Sequence, residues 1–159
     1  MIMDGDKQNG IEGKKFDKSQ MLQKVLSPLL FYTNYNLKIW IPLKSDIEMA
    51  NYLINQNFHI EKYYEGVNFL STNVMIANYI FMIPPTNDLP KYIYKAFRLG
   101  IPFAILIPLY SLADEKIQHQ LKNDGLQLLF LKNGYVFNTK NVPAVWLCYK
   151  MLSSPIKME

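Results

Sequence analysis

The apolar run 101–109, broken only by Pro102 and Pro108, constrains the fold of this chain more than any other feature. A strand that is apolar at every position, rather than at every second position, is typical of a parallel sheet covered on both faces. A membrane-spanning helix would need roughly 18 apolar residues in a row. No run in this sequence is that long. The run therefore predicts a central strand, 102–109, with helices packed on both sides of a sheet.

Strand and helix patterns alternate along the rest of the chain. Strands are predicted at 37–41, 58–64, 79–83, 126–131 and 144–151. Helices are predicted at 16–30, from Ser45 in a capping box with Glu48, at 88–99 up to Gly100, and at 113–123 up to Gly125. The first helix could pack on the domain or be offered to a partner, and packing is favoured. The alternation predicts an α/β fold with a mostly parallel sheet, helices on both faces and an antiparallel last strand.

The length of the chain predicts a single folded domain. Its 159 residues, half of them apolar, are enough to build one full core. A polar stretch with three glycines opens the sequence and is interpreted as a leader. The predicted organisation is a flexible leader (1–15), an N-terminal helix with its connector (16–36), one domain (37–152) and a tail (153–159).

The small number of cysteines and histidines argues against two kinds of site. Cys148 is the single cysteine, which excludes an intramolecular disulfide and a multi-cysteine zinc site. With only His59 and His119 beside it, we expect no metal. Core packing for Cys148, a core or edge position for His59 and solvation for His119 are the favoured interpretations. Residues 1–18 lack the apolar segment of a secretory signal, so we expect a soluble intracellular protein of the cytoplasm, nucleoid or a virus.

The positive charge is modest and made almost entirely of lysine. The formal net charge is +4, which permits contact with a phosphate backbone without requiring it. Lys91, Lys95 and Arg98 recur at i, i+4 and i+7, so they share one face of the predicted helix 88–99. This basic stripe is interpreted either as a solvated face or as a nucleic-acid interface. The tyrosines 63, 64, 92 and 94 could stack on bases, although packing is the commoner role.

Three predicted strands end in segments that could hold a ligand. The segments are 42–45, 65–69 and 83–86. Ligands of open α/β sheets bind outside the carboxyl ends of the strands, where these segments meet. None of the three contains a glycine-rich phosphate loop, which argues against a nucleotide held by its phosphates.

The same three segments carry a resemblance to a known family. In order along the chain the relevant elements are Trp40-Ile41-Pro42-Leu43-Lys44, Asn68-Phe69-Leu70, Ile83-Pro84-Pro85-Thr86 and the run 101–109. Residues 38–152 resemble the adenine-specific DNA methyltransferases of restriction systems and phages. In that family the elements read Trp-Cys-Pro-Phe-Asp, Asp-Phe-Phe, Asn-Pro-Pro-Phe and Lys-Pro-Phe-Ala-Ile-Leu-Leu-Pro-Leu. The stretch 143–149 is similar to the family's closing strand.

The resemblance implies a Rossmann-like methyltransferase sheet and transfer of a methyl group from S-adenosylmethionine to the amine of a flipped adenine. In the family, the first residue of Asn-Pro-Pro-Phe accepts a hydrogen bond from that amine and the last stacks on the base. Here Ile83 has no acceptor and Thr86 has no stacking face. Pro84 and Pro85 keep the shape of the turn without its chemistry.

The cofactor side of the resemblance has also changed. The family's carboxylate at the end of the first element contacts the ammonium group of the cofactor, and the matching residue here is Lys44. Pro42 is retained, whereas the acidic first residue of the second element is replaced by Asn68. Glu61 or Glu65 could hold a ribose diol, but solvated charges are the favoured interpretation.

These departures predict a catalytically inactive methyltransferase-like protein that acts as a binding or assembly subunit. It would need no cofactor, no metal and no membrane, and it would work with a protein partner or a larger complex, in a virus or mobile element for instance. One alternative is an active, S-adenosylmethionine-dependent adenine DNA methyltransferase with a variant motif. Another is a weak nucleic-acid-binding module that uses the basic stripe.

Overall fold

The computed structural model describes residues 18–62, 68–73, 77–132, 135–137 and 140–159. Its helices are α1 (Lys18–Leu30), α2 (Ile47–Asn55), α3 (Leu89–Leu99) and α4 (Glu115–Asn123). Its first five strands are β1 (Lys38–Ile41), β2 (His59–Lys62), β3 (Tyr79–Met82), β4 (Phe103–Pro108) and β5 (Gln127–Phe130). The later strands are β6 (Tyr135–Phe137), β7 (Lys140–Val142), β8 (Ala144–Tyr149) and β9 (Ile156–Met158). Short 3-10 turns span Lys44–Asp46, Thr86–Asp88 and Leu109–Ala113.

Seven of the strands form one sheet in the order β2-β1-β3-β4-β8-β5-β9. The first four run parallel to one another. β8 is inserted antiparallel between β4 and β5, and β9 lies parallel to β5 at the edge. Only β8 opposes the direction of the other six strands in this sheet. This arrangement confirms the predicted Rossmann-like α/β fold, including the antiparallel strand near the C-terminus.

The predicted central strand lies in the middle of the sheet and has helices over both faces. Every residue of β4 is buried, as the unbroken apolar run requires. Leu26 of α1 and Leu53 of α2 pack on one face. Ile93 of α3 and Ile117 of α4 pack on the other. The described helices do not include one long and apolar enough to span a membrane.

α1 is packed on the sheet, as the favoured interpretation of its apolar spacing predicted. Leu22, Val25, Leu26 and Leu29 are buried under it. The indole Nε1 of Trp146, in β8, donates a hydrogen bond of 2.8 Å to the carbonyl oxygen of Val25. A neutral buried bond of this kind contributes about 1 kcal/mol, so α1 is joined to the sheet by polar as well as apolar contacts.

The structure differs from the predicted elements in three places. Ser45 does not cap α2, because it lies inside the 3-10 turn Lys44–Asp46 and the helix starts later, without a side-chain cap. A two-stranded ribbon of β6 and β7 occupies the connection between β5 and β8, which was predicted as a short irregular stretch. The predicted tail includes β9, which extends the sheet beyond residue 152. The predicted leader lies outside the described residues.

Candidate functional site

The candidate site lies where β1 and β3 end side by side at the carboxyl edge of the sheet. Between these two strand ends lies Asp46, whose side chain is only 6% exposed. Its Oδ2 accepts a hydrogen bond of 2.8 Å from the backbone N–H of Ile83. Burial raises the pKa of Asp46 from 3.8 to about 7, against a smaller lowering by the Ile83 N–H. A carboxyl group therefore connects the turn after β1 with the turn after β3, two of the strand ends that carry the resemblance.

Asp46 was not among the site residues predicted from the sequence, and its position explains why. Asp46 follows Lys44 by two residues in a polar stretch, where an acidic side chain is ordinarily solvated. Its burial depends on the neighbouring strand end, which is 37 residues away in sequence. The sequence favoured a helix cap at this point, whereas in the structure Asp46 lies in a 3-10 turn.

The turn after β3 places its apolar first residue against the core. Ile83 is half-buried and packs against the cluster that lies under α1 and α2. Pro84 is buried, whereas Pro85 and Thr86 are exposed, and Thr86 opens a 3-10 turn. The side chain at the position that matches the family's acceptor therefore packs against the hydrophobic core, and the backbone N–H of Ile83 already donates to Asp46.

The predicted cofactor positions lie in two separate turns. Pro42 is buried directly after β1, and Lys44 is exposed in the turn that follows it. The side-chain Oδ1 of Asn68 accepts a hydrogen bond of 2.9 Å from the backbone N–H of Leu70, so Asn68 shapes its own turn. Glu61, on β2, forms an ion pair of 2.9 Å with Lys38 of β1. Residues 63–67, including Glu65 and two of the tyrosines, lie outside the described residues.

An aromatic cluster covers the end of β1 on the α3 side. Phe69 is buried between Trp40 and Tyr92, at ring-centroid distances of 5.7 Å and 6.0 Å. The planes of Phe69 and Tyr92 are parallel, while Trp40 meets Phe69 closer to edge-on. The buried Nε1 of Trp40 has no hydrogen-bond partner among the described residues. These rings pack on one another, which is the interpretation that was favoured for Tyr92.

A cavity of about 390 Å³ opens beyond the carboxyl ends of β3 and β4, between the first turns of α3 and α4. Thr86 forms part of its wall. Asp114 caps α4, because its Oδ1 accepts bonds of 2.8 Å and 3.2 Å from the N–H groups of Lys116 and Ile117. Asp88 makes no such bond at α3 and instead lies 3.7 Å from the ammonium group of Lys91. The cavity mouth therefore carries both signs of charge.

The basic stripe lies on the outer face of α3, opposite the buried Ile93 and Ala96. Each of its three cations contacts a neighbour. Lys91 is close to Asp88, and the Nζ of Lys95 donates a bond of 3.0 Å to the Oδ1 of Asn73. The guanidinium of Arg98 lies 5.9 Å from the ring centre of Tyr94. The spacing predicted the shared face correctly, and its use as a nucleic-acid interface remains a prediction.

The remaining candidates are one buried cysteine and two exposed histidines. Cys148 is fully buried in β8, and burial raises the pKa of its thiol, which disfavours the nucleophilic thiolate. His59 is exposed on the edge strand β2. His119 is exposed on α4, with a ring nitrogen 3.1 Å from the side-chain amide nitrogen of Asn123. Within the described part of the chain, no group of three or more His, Cys, Asp or Glu residues could hold a metal ion.

Comparison with known proteins gives the fold class. No family model and no curated protein matches the chain. Among solved structures, it is similar to a modification subunit assigned to a type I restriction enzyme of Vibrio vulnificus, with a TM-score of 0.52 and 12% identity. That match covers 93% of this chain and 46% of the subunit, so this chain spans about half of that protein's length. At this identity the likeness shows the fold alone.

A second similar structure is the precorrin-6y C5,15-methyltransferase of Geobacter metallireducens. It matches with a TM-score of 0.48 and 12% identity, over 80% of this chain and 87% of that one. The TM-score lies below the value at which a shared fold is inferred. The strand order of the sheet and the restriction-subunit likeness therefore carry the fold assignment.

Proposed function

We propose that this chain is a methyltransferase-fold protein that does not transfer methyl groups and acts as a binding or assembly subunit. The observation that carries the proposal is the environment of Ile83. Its side chain packs against the core, and its N–H is occupied by Asp46. A target amine at this turn would meet no acceptor on the Ile83 side chain.

The missing contacts are those on which the family's chemistry depends. One oriented polar group at a reacting centre is typically worth on the order of a hundredfold in rate. Loss of an aromatic stacking partner, as at the exposed Thr86, costs about 1–3 kcal/mol of binding per base. Together these losses would reduce methyl transfer to background.

Cofactor binding is opposed by charge at the end of β1. Lys44 occupies the position where the resemblance implies a carboxylate for the cofactor's ammonium group. Two like charges 4 Å apart repel by roughly 4 kcal/mol at an effective dielectric constant of 20, and solvent around an exposed lysine screens part of this. A third of that energy would already weaken binding about tenfold.

An assembly role is supported by the restriction-enzyme likeness. The similar protein is named as a subunit, and thus as part of a larger enzyme. This chain has the methyltransferase-like sheet in common with it over nearly all of its own length. A sheet and helix framework without catalytic side chains is suited to presenting a surface to such an assembly.

The test is a pair of measurements on the purified chain. We expect no labelled methyl incorporation from S-adenosylmethionine into adenine-containing DNA or RNA, and no calorimetric binding in the micromolar range. A matched variant carrying Lys44→Asp, Ile83→Asn and Thr86→Phe restores the family residues and should gain cofactor affinity over the parent. Heat-sensitive methyl incorporation by the parent would contradict the proposal.

Asp46 favours one second candidate, an active methyltransferase with a variant motif. Its carboxyl group is the acidic side chain bonded to the turn, and it could accept a bond from an amine in place of the missing asparagine. This candidate predicts methyl incorporation by the parent that Asp46→Ala abolishes. Circular dichroism of the variant would separate a lost acceptor from a lost fold.

A further inference from the structure

The cavity of about 390 Å³ at the carboxyl edge has no role in the proposed function. Two similar segments build its wall, each made of a turn and the start of a helix. Residues 86–91 supply the turn after β3 and the start of α3, and residues between Tyr110 and Ile117 supply the turn after β4 and the start of α4. Since α3 has eleven residues and α4 has nine, the positive ends of two full helix dipoles lie beside the cavity.

The four formal charges on the cavity wall cancel, and three of them already have a partner. Asp88 lies 3.7 Å from the ammonium group of Lys91. The carboxylate of Asp114 accepts two bonds from N–H groups in the first turn of α4. Lys116, in contrast, forms no ion pair within the described residues, and no side chain caps α3. One ammonium group and the positive end of α3 are therefore available to an anion.

Ser111 adds a hydrogen-bond donor to the same wall. It lies in the 3-10 turn after β4 and is only 8% exposed. Its carbonyl oxygen accepts a bond of 3.1 Å from the N–H of Asp114, so the backbone holds this turn. The hydroxyl group has no hydrogen-bond partner in the part of the chain that the structure describes, and it is not among the unpartnered atoms that are sealed from the surface. It is thus a largely buried donor that a ligand in the cavity can reach.

The size and lining of the cavity favour an organic ligand over an inorganic ion. Its volume lies within the range of about 300–1,000 Å³ that is usual for small-molecule sites. Leu89 and Ile117 contribute apolar surface to the wall, and Tyr110, which is 65% exposed, contributes an aromatic ring. Aromatic rings attract one another in offset and edge-to-face arrangements, so this wall suits a ligand that contains a ring.

The charge balance of the wall favours a carboxylate over a phosphate. Because the side-chain charges sum to zero, the positive surplus comes from the two helix ends, each equivalent to about half a charge. A surplus of about one charge matches a carboxylate, which carries a single negative charge. A phosphate monoester carries about −1.5 to −2 at neutral pH and would be only partly compensated.

From these observations we propose that the cavity between the first turns of α3 and α4 binds a small aromatic carboxylate. The carboxylate accepts hydrogen bonds from the Ser111 hydroxyl and the Lys116 ammonium group beside the positive end of α3, and the ring of the ligand packs on Tyr110. The inference goes beyond the proposed function, since it requires neither methyl transfer nor a protein partner.

The test is an NMR titration of the isotope-labelled full chain with benzoate. We expect saturable shifts of the backbone amide signals of residues 86–91 and 110–117, in the millimolar range that is usual for so small a molecule. Ser111→Ala should weaken benzoate binding about fivefold, because it removes one hydrogen bond to a charged group. Lys116→Gln should weaken it about threefold, because it removes one exposed ion pair.

Three comparison probes test the sign and size of the charge. Benzamide has nearly the shape of benzoate without its charge, benzamidine has the opposite charge, and phenyl phosphate has a larger negative charge. Each should bind at least about fivefold more weakly than benzoate, because the site supplies donors and about one positive charge.

Two matched variants serve as controls. Ser45→Ala removes a hydroxyl group from the 3-10 turn after β1, and Lys122→Gln removes an exposed charge from the last turn of α4. Both should change benzoate affinity by less than about twofold, since neither residue lines the cavity. Thermal melts check that each variant is folded.

Three results would overturn the inference. They are the absence of saturable shifts with benzoate, benzoate binding that Ser111→Ala or Lys116→Gln leaves unchanged, and binding of a comparison probe at the same residues as tightly as benzoate. None of these results bears on the proposed function, which the methyl-incorporation assay tests separately.

Discussion

Within the three strand-end elements that resemble those of a methyltransferase family, buried and exposed positions match the family residues to different degrees. Five positions are buried, and four of them, Trp40, Pro42, Phe69 and Pro84, match the family residue, whereas Ile41 stands where the family has cysteine. The exposed positions are changed at three of four places, with Pro85 the exception. The changed residues at exposed positions are Lys44, Asn68 and Thr86.

This contrast separates two kinds of constraint. A buried residue is held by its neighbours, because interiors are close-packed and a change of even one methylene group is felt. An exposed residue at a strand end is less constrained by packing, and substitutions there usually change stability little. The strand-end elements therefore match the family at most of their buried positions and differ from it mainly at their exposed positions. Ile83 belongs to neither group, because it is half-buried and its apolar side chain packs against the core at the position where the resemblance implies an asparagine.

The largest effect on stability is expected from a substitution at a buried position. Trp146→Ala should reduce the free energy of unfolding by about 3–5 kcal/mol, because it removes a fully buried ring and its bond to Val25. Phe31→Ala is the matched control, since Phe31 is 83% exposed and its loss should cost under about 0.5 kcal/mol. Urea denaturation measures both. Equal losses in the two variants would mean that α1 does not depend on its contact with the sheet.

The next effect concerns Asp46, which is packed and yet ionisable. Its folded pKa of about 7 lies above the ordinary 3.8, so the native state binds more protons than the unfolded state between these values. The contribution of this group to the free energy of unfolding is therefore complete below pH 3.8. It is lost as the pH rises from 3.8 to about 7, and it does not change further above that pH. The total is up to about 4 kcal/mol.

Asp46→Asn should remove this pH dependence while keeping an acceptor for the Ile83 N–H. Unfolding by urea at pH 4 and pH 8 should show a larger loss for the parent than for the variant, and the variant should be the more stable of the two at pH 8. Asp88→Asn, which alters a half-exposed carboxyl group, is the control and should follow the parent. Parallel profiles for the parent and Asp46→Asn would rule out the buried carboxyl as the cause.

Sequence patterns predicted the packed half of the molecule far better than the strand-end half. The apolar run of β4 and the stop of α3 at Gly100, which adopts a left-handed φ of 76°, depend on local chemistry that the sequence displays. β9 was missed because three residues, Ile156–Met158, form a strand only through pairing with β5. The burial of Asp46 likewise arises from a contact between distant segments, which no local pattern encodes.

A smaller effect on stability is expected at the carboxyl edge of the sheet, where the residues that precede α3 and α4 can be compared. Asp114→Ala should destabilise the protein by about 1 kcal/mol, because the side chain caps two N–H groups of α4. Asp88→Ala, at the equivalent position of α3, loses no cap bond and only an exposed ion pair, so a change within about 0.5 kcal/mol is expected. Thermal melts of the two single variants give the difference directly. A larger loss for Asp88 would show that the cap geometry does not determine stability here.

The smallest effect on stability is expected from the basic stripe, whose residues contact only neighbours on the surface. Replacing Lys91, Lys95 and Arg98 together with Glu should change the free energy of unfolding by no more than about 0.5 kcal/mol, because the side chains lie opposite the buried face of α3.

The same variant tests the predicted nucleic-acid interface. Binding of single-stranded DNA by the parent should be weak, independent of sequence and steeply reduced by salt. The triple variant should lose it, because phosphate contacts supply nearly all of such non-specific affinity. Unchanged binding at low salt would identify the stripe as a solvated face of the helix.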